Sequence, residues 1–283
     1  MSQLDPRITA ARPDLASSEL KGRVEADHFV DPVEYQAIVP AAPIRRSPEP
    51  NGAMDDQLLA GDLFAVLETR DGWAWGQARS DGYVGWVDLA GLSREIHPVD
   101  HRIAVLRTYA FSEPNIKTAP NHLLSLNAGI ATGRRDGRFV EAIGLGWVIA
   151  AHVAPRGETA SDFVAVAEAF LGAPYLWGGK ESLGLDCSGL VQMALQAAGQ
   201  DMPRDADQQE ALLKARWRDV TGEAERQRGD VVFWPGHVGI LTDSEHLLHA
   251  NASSMDVTLE PFAAAAARIR AAENPVRAIY RPV

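Results

Sequence analysis

A repeat in the N-terminal half of the chain restricts its fold more than any other sequence feature. The segment DGWAWGQARSDGYVGWVDLAGL, residues 71–92, is echoed by DGRFVEAIGLGWVIAAHV, residues 136–153. Each copy has an Asp-Gly turn signal, an aromatic-bearing strand, a Gly-Trp-Val triplet and a short turn or helical ending. Because residues 33–154 show no helical period, the repeat predicts two small β-barrels in tandem; a single irregular β domain is the alternative.

The sequence pattern changes at residues 153–162, where helical spacing begins. Apolar periodicity and capping residues predict helices over residues 161–172, about 187–198 and 203–217. Ser161 and Asp205 are the expected N-caps of the first and third helices. Strand-like segments follow at residues 231–234, 237–242, 246–251 and 276–283. Helices followed by an antiparallel sheet predict an α+β domain.

Composition and charge argue against several classes of protein, including nucleic-acid-binding and membrane-spanning proteins. The chain is 46% hydrophobic and 23% charged, with a net charge of −11, which argues against nucleic acid or an anionic membrane as a main partner. A single cysteine excludes an intrachain disulfide. The N-terminus has no apolar region of the kind that secretion signals need, and the longest apolar runs are too short to span a bilayer. A cytoplasmic protein is therefore expected.

The only cysteine, Cys187, stands where a glycine-rich loop becomes a helix. The free amides and the dipole at a helix N-terminus stabilise a thiolate and can also hold an oxyanion, so this position suits a nucleophile. A buried structural cysteine is the alternative interpretation.

Two histidines on neighbouring predicted strands could supply the base and its orienting group. If residues 242–244 form a three-residue turn, His237 lies directly opposite His249 on one face of the sheet. A two-residue turn would offset the pair by one position. His246 points to the other face, and no acidic or cysteine residue is spaced to complete a metal site with it, so no metal is expected.

Three segments resemble the NlpC-type papain-like cell-wall peptidases, in the order that the family has them. They are PYLWGGKESLGLDCSGLVQMAL (174–195), RGDVVFWPGHVGIL (228–241) and LLHANAS (247–253). The resemblance covers nearly all of residues 156–283. It implies a papain-like fold with Cys187 as nucleophile, His237 as general acid/base and His249 as the third polar residue. The N-terminal repeat, with its Gly-Trp-Val signature, is similar to bacterial SH3-like domains.

The combination of two SH3-like domains with this catalytic domain resembles the subgroup that trims free murein peptides bearing an N-terminal L-alanine. That resemblance implies that Asp186 and Ser188 help bind the substrate amine. It further implies that Tyr83 closes the site, that Glu49 supplies an acidic group, and that Tyr175 lines the oxyanion side.

The resulting expectation is an α+β papain-like catalytic domain preceded by two small all-β SH3-like barrels. The expected domains are a leader (1–32), two SH3-like domains (33–95 and 96–155) and the peptidase domain (156–283). The expected reaction is hydrolysis of the γ-D-glutamyl-diamino acid bond of murein peptides, without a cofactor. Another thiol amidase or acyltransferase on the same fold, or a wall-binding protein, is the alternative.

Overall fold

The computed structural model describes residues 4–272 and 274–283 of the chain. The chain divides into two compact units, Met1–Arg156 and Gly157–Val283. The first unit is built from strands with single turns of 3₁₀ helix, and the second combines helices with a sheet. In the part of the chain that the structure describes, no helix is both long and apolar enough to cross a membrane.

The first β module, residues 33–93, is a seven-stranded antiparallel sheet. Its strands are β3 (Val33–Ala37), β4 (Ala41–Arg45), β5 (Met54–Leu59), β6 (Leu63–Arg70), β7 (Trp73–Ala78), β8 (Val84–Asp88) and β9 (Leu92–Ser93). They follow the order β5-β4-β8-β7-β6-β3-β9. Asp71 and Gly72 join β6 to β7 with φ of 50° and 82°, the left-handed pair that a two-residue hairpin turn requires.

The N-terminal segment lies on this first module. Its short strands β1 (Leu15–Ser17) and β2 (His28–Val30) pair in parallel. The Arg12 guanidinium lies 4.2 Å from the ring centroid of Trp75 and forms a 2.6 Å ion pair with Glu68. These contacts fix the segment against the sheet through a cation–π interaction and a charge pair.

The second β module, residues 101–155, repeats the topology of the first. Its strands are β10 (His101–Ile103), β11 (Arg107–Phe111), β12 (Pro120–Ser125), β13 (Gly129–Ile130), β14 (Thr132–Asp136), β15 (Phe139–Ala142), β16 (Gly146–Ile149) and β17 (Val153–Pro155). The strand orders are β12-β11-β16-β15-β14 and β13-β10-β17. If β13 and β14 count as one interrupted strand, this order matches that of the first module.

The two copies of the repeat occupy equivalent places in the two modules. The Gly-Trp-Val triplets lie on β8 and β16, and each strand is followed by one turn of 3₁₀ helix, Leu89–Gly91 and Ala150–His152. The sequence repeat therefore corresponds to a repeat of strand order. The exact domain limits, and the classification of the second module as SH3-like, stay predictions.

The second unit has an antiparallel sheet with helices packed on it. The helices are α1 (Phe163–Glu168), α2 (Cys187–Ala197), α3 (Ala206–Arg216) and α4 (Phe262–Ala271). The strands are β18 (Lys180–Glu181), β19 (Gly184–Leu185), β20 (Arg218–Asp219), β21 (Val231–Trp234), β22 (His237–Leu241), β23 (His246–Asn251), β24 (Asp256–Pro261) and β25 (Ala278–Arg281). The main sheet has the order β20-β25-β21-β22-β23-β24, and α2 packs against β22 and β23.

Two local expectations for this unit were wrong. The N-cap of α1 is Asp162 rather than Ser161, because the Asp162 carboxylate accepts hydrogen bonds from the amides of Val164 and Ala165 at 2.9 and 3.2 Å. This helix also ends at Glu168, short of the expected stop at residue 172.

The sequence pattern did not predict strand β24, which forms one edge of the main sheet and carries a residue of the candidate site.

Candidate active site

The sulfur of Cys187 lies at the start of a buried helix. Cys187 is the first residue of α2, and Asp186 caps that helix by accepting a hydrogen bond from the Gly189 amide at 2.8 Å. The first amides of a helix have no partner within the helix, so they are available as donors around the sulfur. The backbone amides of Ser188 and Val238 lie close enough to Sγ to favour its ionised form, which places the thiol near the start of β22.

Burial dominates the electrostatics of this thiol. It raises the pKa of Cys187 to about 12, and the Asp186 carboxylate adds to this effect. The amides of Val238 and Ser188 and the charge of Arg204 act in the opposite direction, but they do not outweigh burial. The helix-start argument alone predicts a lowered pKa, so the structure corrects that expectation: the free enzyme holds a protonated thiol, which needs a nearby base.

His237 and His249 form the hydrogen bond expected of a base and its orienting group. His237 Nε2 lies 2.7 Å from His249 Nδ1, and the ring centroids are 5.0 Å apart. His237 begins β22 next to Val238, whose amide contacts the Cys187 sulfur. The nucleophile, the base and the orienting group named from the sequence are thus brought together in one unit; their catalytic roles stay predictions.

The strand register that led to this pairing was wrong by two residues. Leu241 pairs with Leu247, and the amide of Thr242 donates to the carbonyl of His246, so the turn is formed by residues 243–245. This register makes Gly239 the residue opposite His249, and His237 a diagonal neighbour. Because side chains alternate with a period of two, a shift of two residues leaves both imidazoles on the same face.

Gly239 makes room for this diagonal contact. A Cβ at this position would lie 3.1 Å from the Cβ of His249 and 2.8 Å from a methyl group of Leu247. Both distances are tighter than ordinary carbon contacts, so a side chain here would displace the neighbouring strand. The glycine therefore lets the two imidazoles approach each other across β22 and β23.

Both imidazoles are neutral at neutral pH. Burial, together with the nearby His249 and Arg268, lowers the pKa of His237 to about 3. Burial also lowers the pKa of His249, although the hydrogen bond to Glu260 opposes it. A neutral His237 can accept the proton of a protonated thiol, which is the requirement for general-base activation.

Acidification is expected to destabilise the protein through His237. Between its ordinary pKa of 6.5 and the folded value of about 3, the unfolded state binds a proton that the folded state does not. Stability is therefore complete above pH 6.5 and falls with pH through this window, by up to about 5 kcal/mol. Urea denaturation at pH 7 and pH 4 should show a smaller difference for His237→Gln than for the wild type.

The half-exposed His246 supplies the matched control for this measurement. His246→Gln should keep the acid sensitivity of the wild type. An identical pH dependence in the wild type and in His237→Gln would contradict the assignment of a buried neutral imidazole at position 237.

Glu260 completes the polar chain, and the sequence interpretation missed it. Its Oε1 lies 2.8 Å from His249 Nε2, and Arg268 of α4 binds both carboxylate oxygens at 2.5 and 2.7 Å. Glu260 lies near the end of β24 and Arg268 lies on α4, so these two elements together support the site.

Asp186 is the centre of a buried charged network. Its oxygens accept from the amides of Gly178 and Gly189, both at 2.8 Å, from Ser188 Oγ at 3.2 Å, and from the Arg204 guanidinium at 2.9 and 2.7 Å. Arg204 is 1% exposed and also donates to Ser188 Oγ at 2.9 Å. These bonds use the acceptor capacity of the carboxylate, so Asp186 organises the nucleophile loop. Its role and that of Ser188 in amine binding stay predictions.

Tyr175, which is predicted to line the oxyanion side, lies within electrostatic reach of Cys187. It is half-buried, and its amide donates to the carbonyl of Met255 at 2.9 Å. Burial and the neighbouring Cys187 and Asp186 raise the pKa of its hydroxyl, which therefore stays protonated and can donate. Its substrate contact stays a prediction.

The remaining predicted site residues belong to the first unit. Tyr83 is 6% exposed and packs in the apolar cluster of the first β module with Phe64 and Val87. Glu49 is exposed in the loop between β4 and β5. Their contacts with a substrate stay predictions. Within residues 4–272 and 274–283, no group of three or more His, Cys, Asp or Glu side chains is arranged to hold a metal.

Comparison with known families agrees with this geometry. Residues 172–271, which contain the thiol and the imidazole pair, match the family model of NlpC/P60. This match lies within the second unit and covers about a third of the chain. Residues 44–92, in the first β module, match the bacterial dipeptidyl-peptidase SH3 domain. The second unit therefore has the papain-like fold and the thiol and imidazole arrangement of a cysteine peptidase, and we call it the peptidase domain.

Two curated relatives that are named as dipeptidyl-peptidases are similar to this chain. Dipeptidyl-peptidase 6 of Lysinibacillus sphaericus is 33% identical over 111 residues, covering 39% of this chain and 40% of the relative. The γ-D-glutamyl-L-lysine dipeptidyl-peptidase of Bacillus subtilis is 26% identical over 222 residues, covering 71% of this chain and 73% of the relative. The match thus spans less than half of the first protein and about three-quarters of the second.

Solved structures show the same fold. An NlpC/P60 family protein from Bacillus cereus has a TM-score of 0.67 at 18% identity, covering 81% of this chain and 94% of that protein. An NlpC/P60 endopeptidase from Photobacterium damselae subsp. piscicida has a TM-score of 0.59 at 12% identity, covering 89% of this chain and 72% of that protein.

Proposed function

We propose that the protein is an endopeptidase that hydrolyses the γ-D-glutamyl-diamino acid bond of free murein peptides with an N-terminal L-alanine. The observation that carries the chemistry is the His237–His249 hydrogen bond of 2.7 Å beside the Cys187 thiol. Support for the substrate comes from the relative named γ-D-glutamyl-L-lysine dipeptidyl-peptidase, which matches over 71% of this chain.

Acylation starts with a proton transfer. Neutral His237 takes the proton of the Cys187 thiol as the sulfur attacks the γ-carbonyl carbon of D-glutamate. The amide of Cys187 and the protonated hydroxyl of Tyr175 donate to the oxyanion that forms. His249 holds the ring of His237 in place while that ring carries a positive charge, and the Glu260 carboxylate favours this charge.

Collapse of the intermediate breaks the amide bond and forms the acyl-enzyme. His237 gives its proton to the departing amine of the diamino acid, leaving L-Ala-γ-D-Glu as a thioester on Cys187. Water then replaces the diamino acid in the site, and His237 removes a proton from it as it attacks the thioester carbonyl. The carbon–sulfur bond then breaks, and His237 returns the proton to the departing sulfur of Cys187, which restores the thiol. The products are L-Ala-γ-D-Glu and the shortened peptide, with one water consumed.

Recognition of a free substrate amine is part of the proposal. Peptides released from the wall carry a charged ammonium group on L-alanine, whereas an intact sacculus attaches this nitrogen to a sugar. Asp186, Ser188 and Glu49 are the groups proposed to recognise this cation. Because the Asp186 oxygens are already filled by Arg204, Ser188 and two amides, Asp186 would act by holding Ser188 in place. A site with acceptors arranged for a cation discriminates against a neutral acylated nitrogen, because an exposed acceptor such as Glu49 would lose its water without gaining a partner.

The proposal includes a cytoplasmic location and a role in recycling wall peptides. Cell fractionation followed by immunodetection tests the location: the protein should be found in the cytoplasmic fraction. Detection in the wall or the culture medium would contradict this part of the proposal.

The bond specificity can be tested with a pair of synthetic tripeptides. L-Ala-γ-D-Glu-diaminopimelate should yield L-Ala-γ-D-Glu and free diaminopimelate, measured by liquid chromatography and mass spectrometry. The isomer linked through the α-carboxyl of D-glutamate is the matched control and should remain intact. No cleavage of the γ-linked peptide, or equal cleavage of both, would contradict the proposal. Release of a different amine from other acyl donors would favour the amidase or acyltransferase alternative.

A further inference from the structure

A continuous hydrogen-bond chain runs from the proposed base to α4 of the peptidase domain. His237 Nε2 meets His249 Nδ1 at 2.7 Å, and His249 Nε2 meets Glu260 Oε1 at 2.8 Å. Arg268 then closes on the Glu260 carboxylate with two short bonds. Both ring nitrogens of His249 are therefore used, and its side chain is fully buried.

The carboxylate of Glu260 determines which ring nitrogens carry protons along this hydrogen-bond chain. An ionised carboxylate only accepts hydrogen bonds, and the paired Arg268 keeps Glu260 ionised, so His249 Nε2 must carry a hydrogen. A neutral imidazole carries one N–H, which leaves His249 Nδ1 as an acceptor. His237 Nε2 must then be the donor, and its Nδ1 is left with a free lone pair.

We propose that Glu260 is a positioning residue that sets the tautomers of both histidines, so that His237 presents an unprotonated Nδ1 to the thiol. The inference rests on the proposed function only in taking His237 as the base for Cys187. Glu260 itself reaches the reaction through His249 and does not contact the substrate.

Without the Glu260 carboxylate, the hydrogen-bond chain loses the group that decides which nitrogen of each histidine donates and which accepts. His249 could then carry its hydrogen on Nδ1, which would set two N–H groups against each other or force His237 into the opposite tautomer. In that tautomer the Nδ1 of His237 has no lone pair for the thiol proton. Water cannot take the place of Glu260 readily, because the His249 side chain is 0% exposed. The other charged groups acting on His249 are Arg268 and Asp256.

The tautomers can be read directly in the wild-type enzyme by NMR with ¹⁵N-labelled histidine. Protonated and bare ring nitrogens have well-separated ¹⁵N shifts, and single substitutions of His237 and His249 assign the signals. We expect Nε2 to be protonated and Nδ1 to be bare in both rings at neutral pH. A protonated Nδ1 with a bare Nε2 in either ring would overturn the inference.

Kinetics of Glu260→Gln provide the second test. The substitution keeps the size of the side chain and removes the charge, and we expect kcat to fall about 100-fold while KM changes less than about threefold. The NMR spectrum of the variant should show a changed tautomer at His249. Glu168→Gln is the matched control, because Glu168 also pairs with an arginine, Arg228, at 2.7 Å but contacts no histidine. The control should keep wild-type kinetics.

The outcomes separate this inference from the proposed function. If the wild type leaves murein peptides intact, the proposed function fails, and the ring-nitrogen spectrum still decides the inference. If the wild type cleaves them and Glu260→Gln has wild-type kcat, the inference fails and the function stands. Should Glu260→Gln fail to fold, the wild-type spectrum alone gives the decision.

Discussion

Replacement of Cys187 by alanine is expected to abolish hydrolysis of murein peptides, lowering kcat at least about 10⁴-fold. The variant removes the atom that forms the thioester, and no other group of the site can replace it, because a thiol nucleophile and its base act as one unit. Product release measured over hours by mass spectrometry sets the lower limit. Cleavage at an appreciable fraction of the wild-type rate would contradict the assignment of the nucleophile.

The fold of this variant can be checked independently of its activity. Cys187 is the only cysteine of the chain, so a thiol reagent under denaturing conditions should label the wild type once and the variant not at all. The sulfur is buried in a helix whose other contacts stay in place, so the urea midpoint should change little compared with the loss of activity. A variant that is inactive because it is unfolded would be recognised by its circular dichroism.

Replacement of Arg204 by methionine is expected to destabilise the peptidase domain by about 3–5 kcal/mol and to reduce activity with it. Arg204 and the side chain of Asp186 are 1% and 9% exposed and 2.7 Å apart. Removing one partner leaves the other charge buried and uncompensated, which is the costly way to break such a pair. Urea denaturation of the two proteins measures the difference in free energy of unfolding.

Two further variants control this prediction. Arg204→Met combined with Asp186→Asn removes both charges while keeping a helix-capping side chain, so it should be more stable than Arg204→Met alone. Arg228→Met breaks two ion pairs, with Glu168 and Asp162, whose side chains are all at least 40% exposed, and it should cost less than about 1 kcal/mol. A cost below about 1 kcal/mol for Arg204→Met would show that the buried pair does not hold the nucleophile loop.

Short-range sequence signals correctly predicted helix starts and a hairpin turn, because interactions between residues close in sequence determine these features. Asp205 caps α3, and Cys187 begins α2, because capping and helix-start preferences act within a few residues. The Asp-Gly hairpin of the first module follows from the same kind of short-range rule. The N-cap of α1 shows the limit of such local rules, because Asp162 caps the helix and not the predicted Ser161. Serine and aspartate have similar capping preferences, so only the path of the folded backbone decides which of two adjacent residues caps the helix.

The register of the histidine strands shows how a wrong detail can leave the correct site. The turn is formed by residues 243–245 and not by the predicted residues 242–244, because the Thr242 amide donates a hydrogen bond to the His246 carbonyl. Placing the turn one residue too early moves the strand pairing by two residues. Because side chains alternate between the two faces of a strand, His237 and His249 still lie on the same face of the sheet. A one-residue error would have separated His237 from His249.

Glu260 and Arg204 could not be predicted because their partners are distant in sequence. Glu260 lies 11 residues beyond His249, on a strand that the sequence pattern did not reveal. Arg204 reaches back 18 residues to Asp186 from the loop before α3. Neither residue type nor local spacing indicates burial for these charged side chains, and only the packing of the complete domain brings them to the site.

The central claim is tested most directly by comparing three substrates at equal concentrations of cleavable bond. They are L-Ala-γ-D-Glu-diaminopimelate, the same peptide with an acetylated N-terminus, and intact sacculi. The account predicts efficient release of diaminopimelate from the free peptide, a kcat/KM at least about 100-fold lower for the acetylated peptide, and no soluble products from sacculi. Equal cleavage of the free and acetylated peptides, or preferential digestion of sacculi, would contradict it.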